Sequence, residues 1–403
     1  MKVLYITYTG LSDNLGSSQI LPYIKSLAAR GVEFKVVSFE SSGQFAERRS
    51  QLRLACEGLP IECFPVNRGE GHSRLALAGA LFKAVKLSVN LARTWRPDLI
   101  HCRNALAAEC AMVASSASGI PYLFDMRGFW GDARKETGQW NHSTLRGRLV
   151  YRFWKSRERK YLVRSSLTNC LTNKARDWIV SHGYKGDDEV VVTPCCVDFS
   201  ETTPQAEKGA RPFTCVYVGS MGGVYDDSRL FRVFTAAKEA FPGARLRMLT
   251  SRTPAEIVDF AGRLGFGLDE QELEVMRVPH HEVFRWIRSA DVGLSFCKPG
   301  FFATGVSSTK IGEYLSQGLP VISNEGLGDV SEILAETEGG LVLPDHISVE
   351  AEKEKVRAFL VDARAMDRER IRALSRRLLD VSVATSNYQR AYEAISNRSN
   401  HDG

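Results

Sequence analysis

Apolar runs of strand length alternate with longer helical patterns from the first residues of this 403-residue chain. Strand-like runs at 3–8, 34–39 and 61–66 are separated by helical patterns over 17–30 and 44–57. That rhythm is the mark of a parallel sheet covered by helices on both faces. It continues through a helix over 74–94, strands at 98–102 and 121–125, a helix over 145–163, and strands at 167–171 and 190–192. The pattern predicts one doubly wound α/β domain over residues 1–197.

The stretch 198–211 is polar, has no period and contains Pro204 and Gly209, so it reads as a linker. The alternation then restarts, with strands expected at 214–218, 245–250, 273–278, 292–296 and 320–323, and helices at 228–241, 254–264, 281–289 and 309–317. This predicts a second doubly wound domain over 212–380. Residues 381–403 are expected to form a helix that folds back onto the first domain, centred on the pattern 385–395, with any disorder confined to a polar tail from Asn397. The fold class is therefore α/β: two Rossmann-like domains whose strand ends face each other across a cleft. Such folds take ligands in the loops after their strands.

Composition adds constraints. Hydrophobic residues make up 44% and charged residues 25%, the proportions of an ordinary globular protein. The net charge of +6 hides an asymmetry, because the first 200 residues carry 28 Lys and Arg against 18 Asp and Glu. The nine cysteines include no CxxC pair and lie largely in apolar runs, which points to a reducing cytoplasm and no metal. Cys195-Cys196 reads as packing. The N-terminal run reaches Gly10 without the long apolar region of a secretion signal, and the apolar stretch 75–92 is interrupted by Lys83 and Lys86, so a spanning helix is not expected.

Candidate chemistry lies after the strands. The first loop, 10–19, lacks the GxGxxG spacing of a dinucleotide fingerprint, which disfavours nicotinamide chemistry. Gly16 permits close backbone approach and Ser17 stands beside the free N–H groups of a helix start, which suits either an acceptor ligand or a capped helix after a tight turn. In the second domain Ser307, Ser308 and Thr309 precede a helix, and Lys310 adds a positive charge at its start. A diphosphate would be held there by the dipole, the hydroxyls and the ammonium. Glu313, four residues after Thr309, shares its face and can accept both hydroxyls of a sugar; a capped helix with a polar pair is the plainer reading. The run 122–132 ends a strand with Asp125, Arg127 and Trp130, a mixture typical of functional sites and also of a buried Asp–Arg bridge.

The run Ser308-Thr309-Lys310 to Glu313-Tyr314-Leu315 to Gly318-Leu319-Pro320-Val321-Ile322 resembles the donor-binding helix of retaining glycosyltransferases of family 4, which have the GT-B fold. Val218-Gly219-Ser220-Met221-Gly222, Ser289-Ala290-Asp291-Val292-Gly293-Leu294, Val192-Thr193-Pro194 with Val197-Asp198, Asp98-Leu99-Ile100-His101 and the closing helix with Tyr388 are similar to that family in the same order. The resemblance implies transfer of a sugar from a nucleotide-diphosphate donor, with retention, without cofactor or metal, the second domain holding the nucleotide and the first the acceptor. Glu313 matches the second glutamate of the family's paired motif, while the first falls at Gly305 and is absent. Backbone N–H groups of 302–307 are then left to meet the donor sugar. Ser220 occupies the family's arginine position after Gly219, and Lys310 and Arg252 are the candidates to replace that charge. Asp125 and Arg127 stand where many members carry a His-Asp pair, so they are expected to face the transferred sugar and the acceptor, with Trp130 as a stacking surface. Retention needs no protein nucleophile, because the leaving diphosphate can take the acceptor's proton.

Residues 145–164 carry eight Lys and Arg against Glu158, interleaved with aromatic and aliphatic residues. The composition suits an anionic membrane surface or a plain solvated face; no nucleic-acid motif accompanies it. A lipid-linked acceptor at the inner face of the cell membrane would account for it. His280-His281 does not continue as HExxH and is read as a helix-entry loop or a contact to the donor base. The leading expectation is thus a cytoplasmic glycosyltransferase of cell-surface polysaccharide or glycolipid assembly. A sugar-nucleotide epimerase of the same fold and a non-catalytic sugar-nucleotide-binding subunit are the alternatives.

Overall fold

The computed structural model describes residues 1–41, 50, 52–54, 56–69, 74–200 and 211–401, without the side chains of 74, 280, 281 and 399–401. The helix expected over 44–57 and the linker expected over 198–211 lie mostly outside the described residues. The chain divides into two compact units, Met1–Pro194 with Val381–Gly403, and Cys195–Asp380. The division falls before residue 197 because the backbone N–H of Cys195 donates to Ser307 Oγ at 3.0 Å and that of Val197 donates to Leu379 O at 2.8 Å.

The elements of the first unit are β1 (Lys2–Thr7), α1 (Asn14–Gln19), α2 (Leu21–Ala28), β2 (Glu33–Glu40), β3 (Ile61–Asn67), α3 (Arg74–Trp95), β4 (Leu99–Arg103), α4 (Ala105–Ser118), β5 (Tyr122–Asp125), α5 (Trp130–Glu136), α6 (Leu145–Arg164), β6 (Leu167–Cys170), α7 (Asn173–Ser181) and β7 (Val190–Val192). The second unit holds β8 (Thr214–Val218), α8 (Asp227–Ala240), β9 (Arg245–Leu249), α9 (Pro254–Arg263), β10 (Leu273–Met276), α10 (His280–Arg288), β11 (Val292–Ser295), α11 (Thr309–Ser316), β12 (Val321–Asn324), α12 (Val330–Glu336), β13 (Gly340–Leu343), α13 (Val349–Ala363) and α14 (Arg368–Leu379). The last helix, α15 (Val381–His401), returns to the first unit and packs on α2, β4 and β7. It continues through Asn397, where polarity alone suggested a disordered tail.

Both sheets are parallel, in the orders β3-β2-β1-β4-β5-β6-β7 and β10-β9-β8-β11-β12-β13. Strand order reverses between β1 and β4 and between β8 and β11, so the loops after these strands diverge and leave room at their carboxyl ends. The central strands are buried on both faces, which is why β1 reads as an apolar run and why β4 and β12 begin apolar, with their polar residues buried too.

Several elements differ from the periodicity. The single helix expected over 17–30 is two, because the backbone bends at Ile20 and Pro22 opens α2. The helix α4 escaped the pattern altogether, since ALAAECAMVASSAS is small and apolar all round and has no polar face to mark its period. The short elements α5, α7, α12 and β13 gave too few residues to show a period. Residues 75–95 of α3 are long and apolar enough to cross a membrane, but α3 is the crossover between β3 and β4 and packs along α4.

One side chain of α11 bonds to two strands of the second sheet. Tyr314 is fully buried, and its hydroxyl accepts from the N–H of Val218 on β8 at 3.0 Å and donates to Leu294 O on β11 at 3.3 Å. Gly293 makes room for the ring: a Cβ there would come within 2.4 Å of it. Gly293→Ala is therefore expected to displace Tyr314 and lower stability by ~1–3 kcal/mol, read as a depressed thermal midpoint; an unchanged midpoint would show that the ring is free to move.

Candidate functional site

In the second unit the residues named as donor contacts gather at the switch between β8 and β11. Ser308 is the N-cap of α11 and makes no side-chain cap bond; its Oγ instead sits 3.1 Å from Ser295 Oγ at the end of β11. Ser307 Oγ is taken by the Cys195 N–H, so it serves the chain and leaves Thr309 and Ser308 at the mouth of the helix. Lys310 follows, and it is buried. Its Nζ lies 4.2 Å from the ring centre of Tyr217 and 4.0 Å from that of Tyr225, and has no hydrogen-bond partner among the described residues. It also lies 3.6 Å from where a Cβ on Gly219 would stand, and Gly219 has a left-handed φ of 120°. Glycine is favoured there by the backbone, while a Cβ would meet the ammonium only at ordinary contact distance.

Burial lowers the Lys310 pKa to about 7, against the raising effect of nearby Glu313, Cys297 and Asp227. Two aromatic faces attract the cation, yet they do not replace the three hydrogen bonds of an ammonium in water. Glu313 is buried one turn further along α11. The loop after β8 is fixed around this amine: Tyr217 Oη donates to Ser220 O at 2.5 Å, the Gly222 N–H donates to Asp227 Oδ2 at 2.8 Å, and Lys298 Nζ donates to Gly223 O at 2.9 Å. Burial also raises the Asp227 carboxyl above its ordinary value.

The structure thus brings Gly219, Ser220, Ser308, Thr309, Lys310 and Glu313 together. The Arg252 guanidinium lies 4.8 Å from the ring centre of Phe260 on α9. Of the N–H groups expected to meet the donor sugar, those of Ala303 and Val306 already donate to Gly300 O and Ala303 O within the turn Phe301–Gly305. Tyr217 and Tyr225 were not singled out from the sequence, since tyrosines in and after a strand read as core. His280 and His281 begin α10, and their side chains lie outside the described residues.

In the first unit Asp125, expected to face the transferred sugar, is wholly buried. Its Oδ1 accepts from Asn169 Nδ2 at 2.8 Å and lies 3.5 Å from Arg127; its Oδ2 accepts from Tyr388 Oη at 3.1 Å and lies 3.4 Å from Arg103 and 3.6 Å from His101 Nε2. Burial alone would raise this carboxyl, but Arg127, His101 and Arg103 hold it well below the usual carboxylate range. Burial lowers the pKa of His101, which stays neutral and pairs through Nδ1 with Tyr392 Oη at 2.7 Å. The cluster clamps α15 onto β4, β5 and β6. Arg127, at the rim, keeps 12% of its side chain exposed and is the member able to reach a ligand.

The acceptor candidates fare unequally. A Cβ on Gly16 would lie 2.0 Å from Gly10 O, so the glycine permits a close approach of its own loop. Ser17 Oγ donates to Asn14 O at 3.0 Å, inside the first turn of α1. Trp130 is half-buried at the start of α5, edge-on to Trp140 at 5.3 Å and Trp154 at 5.0 Å, with the Arg134 guanidinium 4.4 Å above its ring.

Asp125→Asn keeps the shape of the cluster but leaves Arg103 and Arg127 without their counter-charge, at an expected cost of ~3–5 kcal/mol. Because the folded-state pKa of Asp125 is depressed, its contribution is present above the unfolded value of about 3.9 and is lost as pH falls below it. Neutral His101 adds an earlier loss, beginning as pH falls through about 6.5. Thermal midpoints from neutral to acid pH should show both in the native chain and a flatter lowest-pH limb in Asp125→Asn; parallel curves would contradict the assignment.

Residues 17–196 match the family model described as a glycosyl transferase 4-like domain. No curated protein matches the chain. Among solved structures it is similar to a sucrose-phosphate synthase from Thermosynechococcus elongatus, at 14% identity and a TM-score of 0.65, covering 100% of this chain and 98% of that one. It is similar to Anabaena HepE in complex with UDP and glucose, at 14% identity and a TM-score of 0.67, covering 98% and 99%. It is also similar to an α,α-trehalose 6-phosphate synthase from Burkholderia multivorans, at 14% identity and a TM-score of 0.65, covering 99% of each chain. Residues 17–196 are thus similar to a glycosyl transferase 4-like domain, and the two α/β units have the GT-B fold.

Proposed function

We propose that the chain transfers a sugar from a nucleoside-diphosphate donor held by the second unit to a saccharide or lipid-linked acceptor, with retention of anomeric configuration. The observation that carries this reading is Lys310: a buried amine without a hydrogen-bond partner among the described residues, beside Gly219 and the first turn of α11. A diphosphate supplies the anionic acceptors the amine lacks, and the α11 dipole adds to its field. Glu313 would take the ribose hydroxyls, the role its position in the family motif implies. The HepE structures with UDP and with UDP-glucose support a donor of this kind.

The chemistry asks little of the protein beyond position and charge. As the bond from the sugar's anomeric carbon to the diphosphate breaks, negative charge grows on the leaving oxygen, where Lys310 and α11 stabilise it. The acceptor oxygen bonds to the same face, and its proton passes to the departing diphosphate. No divalent cation is required to balance the charge, so EDTA should leave binding intact. Arg127, held by Asp125, would orient the acceptor.

Burying a charged lysine costs on the order of 5 kcal/mol when its pKa falls from 10.5 to about 7. Lys310→Met should therefore raise the thermal midpoint of the ligand-free protein at or below neutral pH while weakening UDP-glucose binding at least about tenfold. A sugar nucleotide keeps its diphosphate charge across this range, so native affinity should be level below pH about 7 and fall by up to about tenfold per pH unit above it, as the free amine loses its proton. Calorimetry in the presence of EDTA, repeated with GDP- and ADP-glucose, checks both statements. Unchanged affinity in Lys310→Met would remove the amine from the donor site.

A further inference from the structure

The helix α6 turns an apolar stripe to solvent. Leu145, Leu149 and Phe153 follow at i, i+4 and i+8, and are 66%, 55% and 57% exposed. The opposite face holds Gly147, Glu158, Tyr161 and Leu162, all buried, so the core already has its share of the helix. Arg146, Arg148, Arg152 and Lys160 flank the stripe, are exposed, and form no ion pair among the described residues. The acidic groups nearby are spent: Glu109 binds Arg157, and Glu158 and Asp132 bind Lys155.

The neighbouring crossover helices extend this face. Helix α6 packs on α4, and α4 packs on α3. On α3, Leu75 and Phe82 are 86% and 72% exposed, one heptad apart, beside exposed Lys83 and Lys86, and the helix contains no acidic residue. Water is an unfavourable partner for such a surface, whereas lipid headgroups meet both parts of it: phosphates the arginines and lysines, the acyl boundary the leucines and phenylalanines. A second copy of the chain would bring like charge against like charge.

A file of rings joins the stripe to the loop after β5. Phe153 touches Trp154 with centroids 5.4 Å apart, Trp154 touches Trp130 at 5.0 Å, and Trp130 carries Arg134. Aromatic side chains with one wet end favour the lipid interface.

We infer that the α3–α4–α6 face docks on an anionic phospholipid bilayer through Leu145, Leu149 and Phe153, with the flanking basic residues on the headgroups, so that the acceptor is reached at the membrane surface. The docking stands without the proposed transfer reaction; only the statement about the acceptor rests on it. The test is co-sedimentation of the full chain with vesicles of phosphatidylcholine alone or with about one third phosphatidylglycerol, without sugar nucleotide. The native chain should bind the anionic vesicles and not the neutral ones, and bind less as salt rises. The triple variant Leu145→Ser, Leu149→Ser, Phe153→Ser should lose about tenfold or more, as should Arg146→Ser, Arg148→Ser, Arg152→Ser. All six positions are exposed, and an unchanged thermal midpoint verifies that the variants are folded. No binding by the native chain, or equal binding by the apolar variant, overturns the inference. So does a native dimer that the apolar variant dissolves, or a basic-patch affinity for duplex DNA that exceeds that for vesicles. Donor calorimetry uses no lipid, so its failure and the failure of docking are told apart.

Discussion

A parallel sheet buried on both faces has no place for charge along its middle, so polar chemistry is pushed to the carboxyl ends of its strands. The first unit gathers ionisable groups at the carboxyl ends of β4, β5 and β6, and the second gathers them where its strand order reverses, at β8/β11. The two clusters then differ in one respect. In the first unit Asp125 is surrounded by five partners from β4, β6, α15 and the loop after β5, and its cluster is complete in itself. In the second unit Lys310 is buried with aromatic faces around it and no hydrogen-bond acceptor among the described residues.

That difference separates what holds the fold from what awaits a ligand. A buried carboxylate with its counter-charges is destabilised only when a partner is removed, which makes Asp125 a clamp for the returning helix. A buried amine with no acceptor is unfavourable as it stands, and an anion would relieve it. The glycine opposite, the tyrosines beside it and the ties that fix the loop after β8 all maintain the space in which that happens.

Much of this was legible in the sequence, for reasons that can be named. Strand-length apolar runs gave the sheets, because double burial leaves no polar alternation to confuse the reading. The segment from Ser307 to Glu313 could be placed at a helix start after a strand, because hydroxyls before a lysine and a glutamate at helical spacing mark that position. Some matching motifs are structural: Asp291, at the start of β11, accepts from Arg211, Arg364 and the Thr214 N–H. The role of Asp125 was not legible, since an aspartate at a strand end has the same composition whether it faces a ligand or a buried arginine. At Gly16 only coordinates show that the backbone that comes close is Gly10 O. Tyr217 and Tyr225 gave no signal, because an aromatic residue that cradles a cation is spelled like one that packs a core.

The central claim is that Lys310 is a suppressed amine whose proton is secured by the donor. Lysine side chains labelled with nitrogen-15, assigned by comparison with Lys310→Met, report that proton directly by NMR. The account predicts a Lys310 titration midpoint of about 7 in the free protein, moving up by about two units or more when UDP-glucose saturates the site. A midpoint near 10.5 in the free protein, the ordinary lysine value, or one that the sugar nucleotide leaves in place, would contradict it.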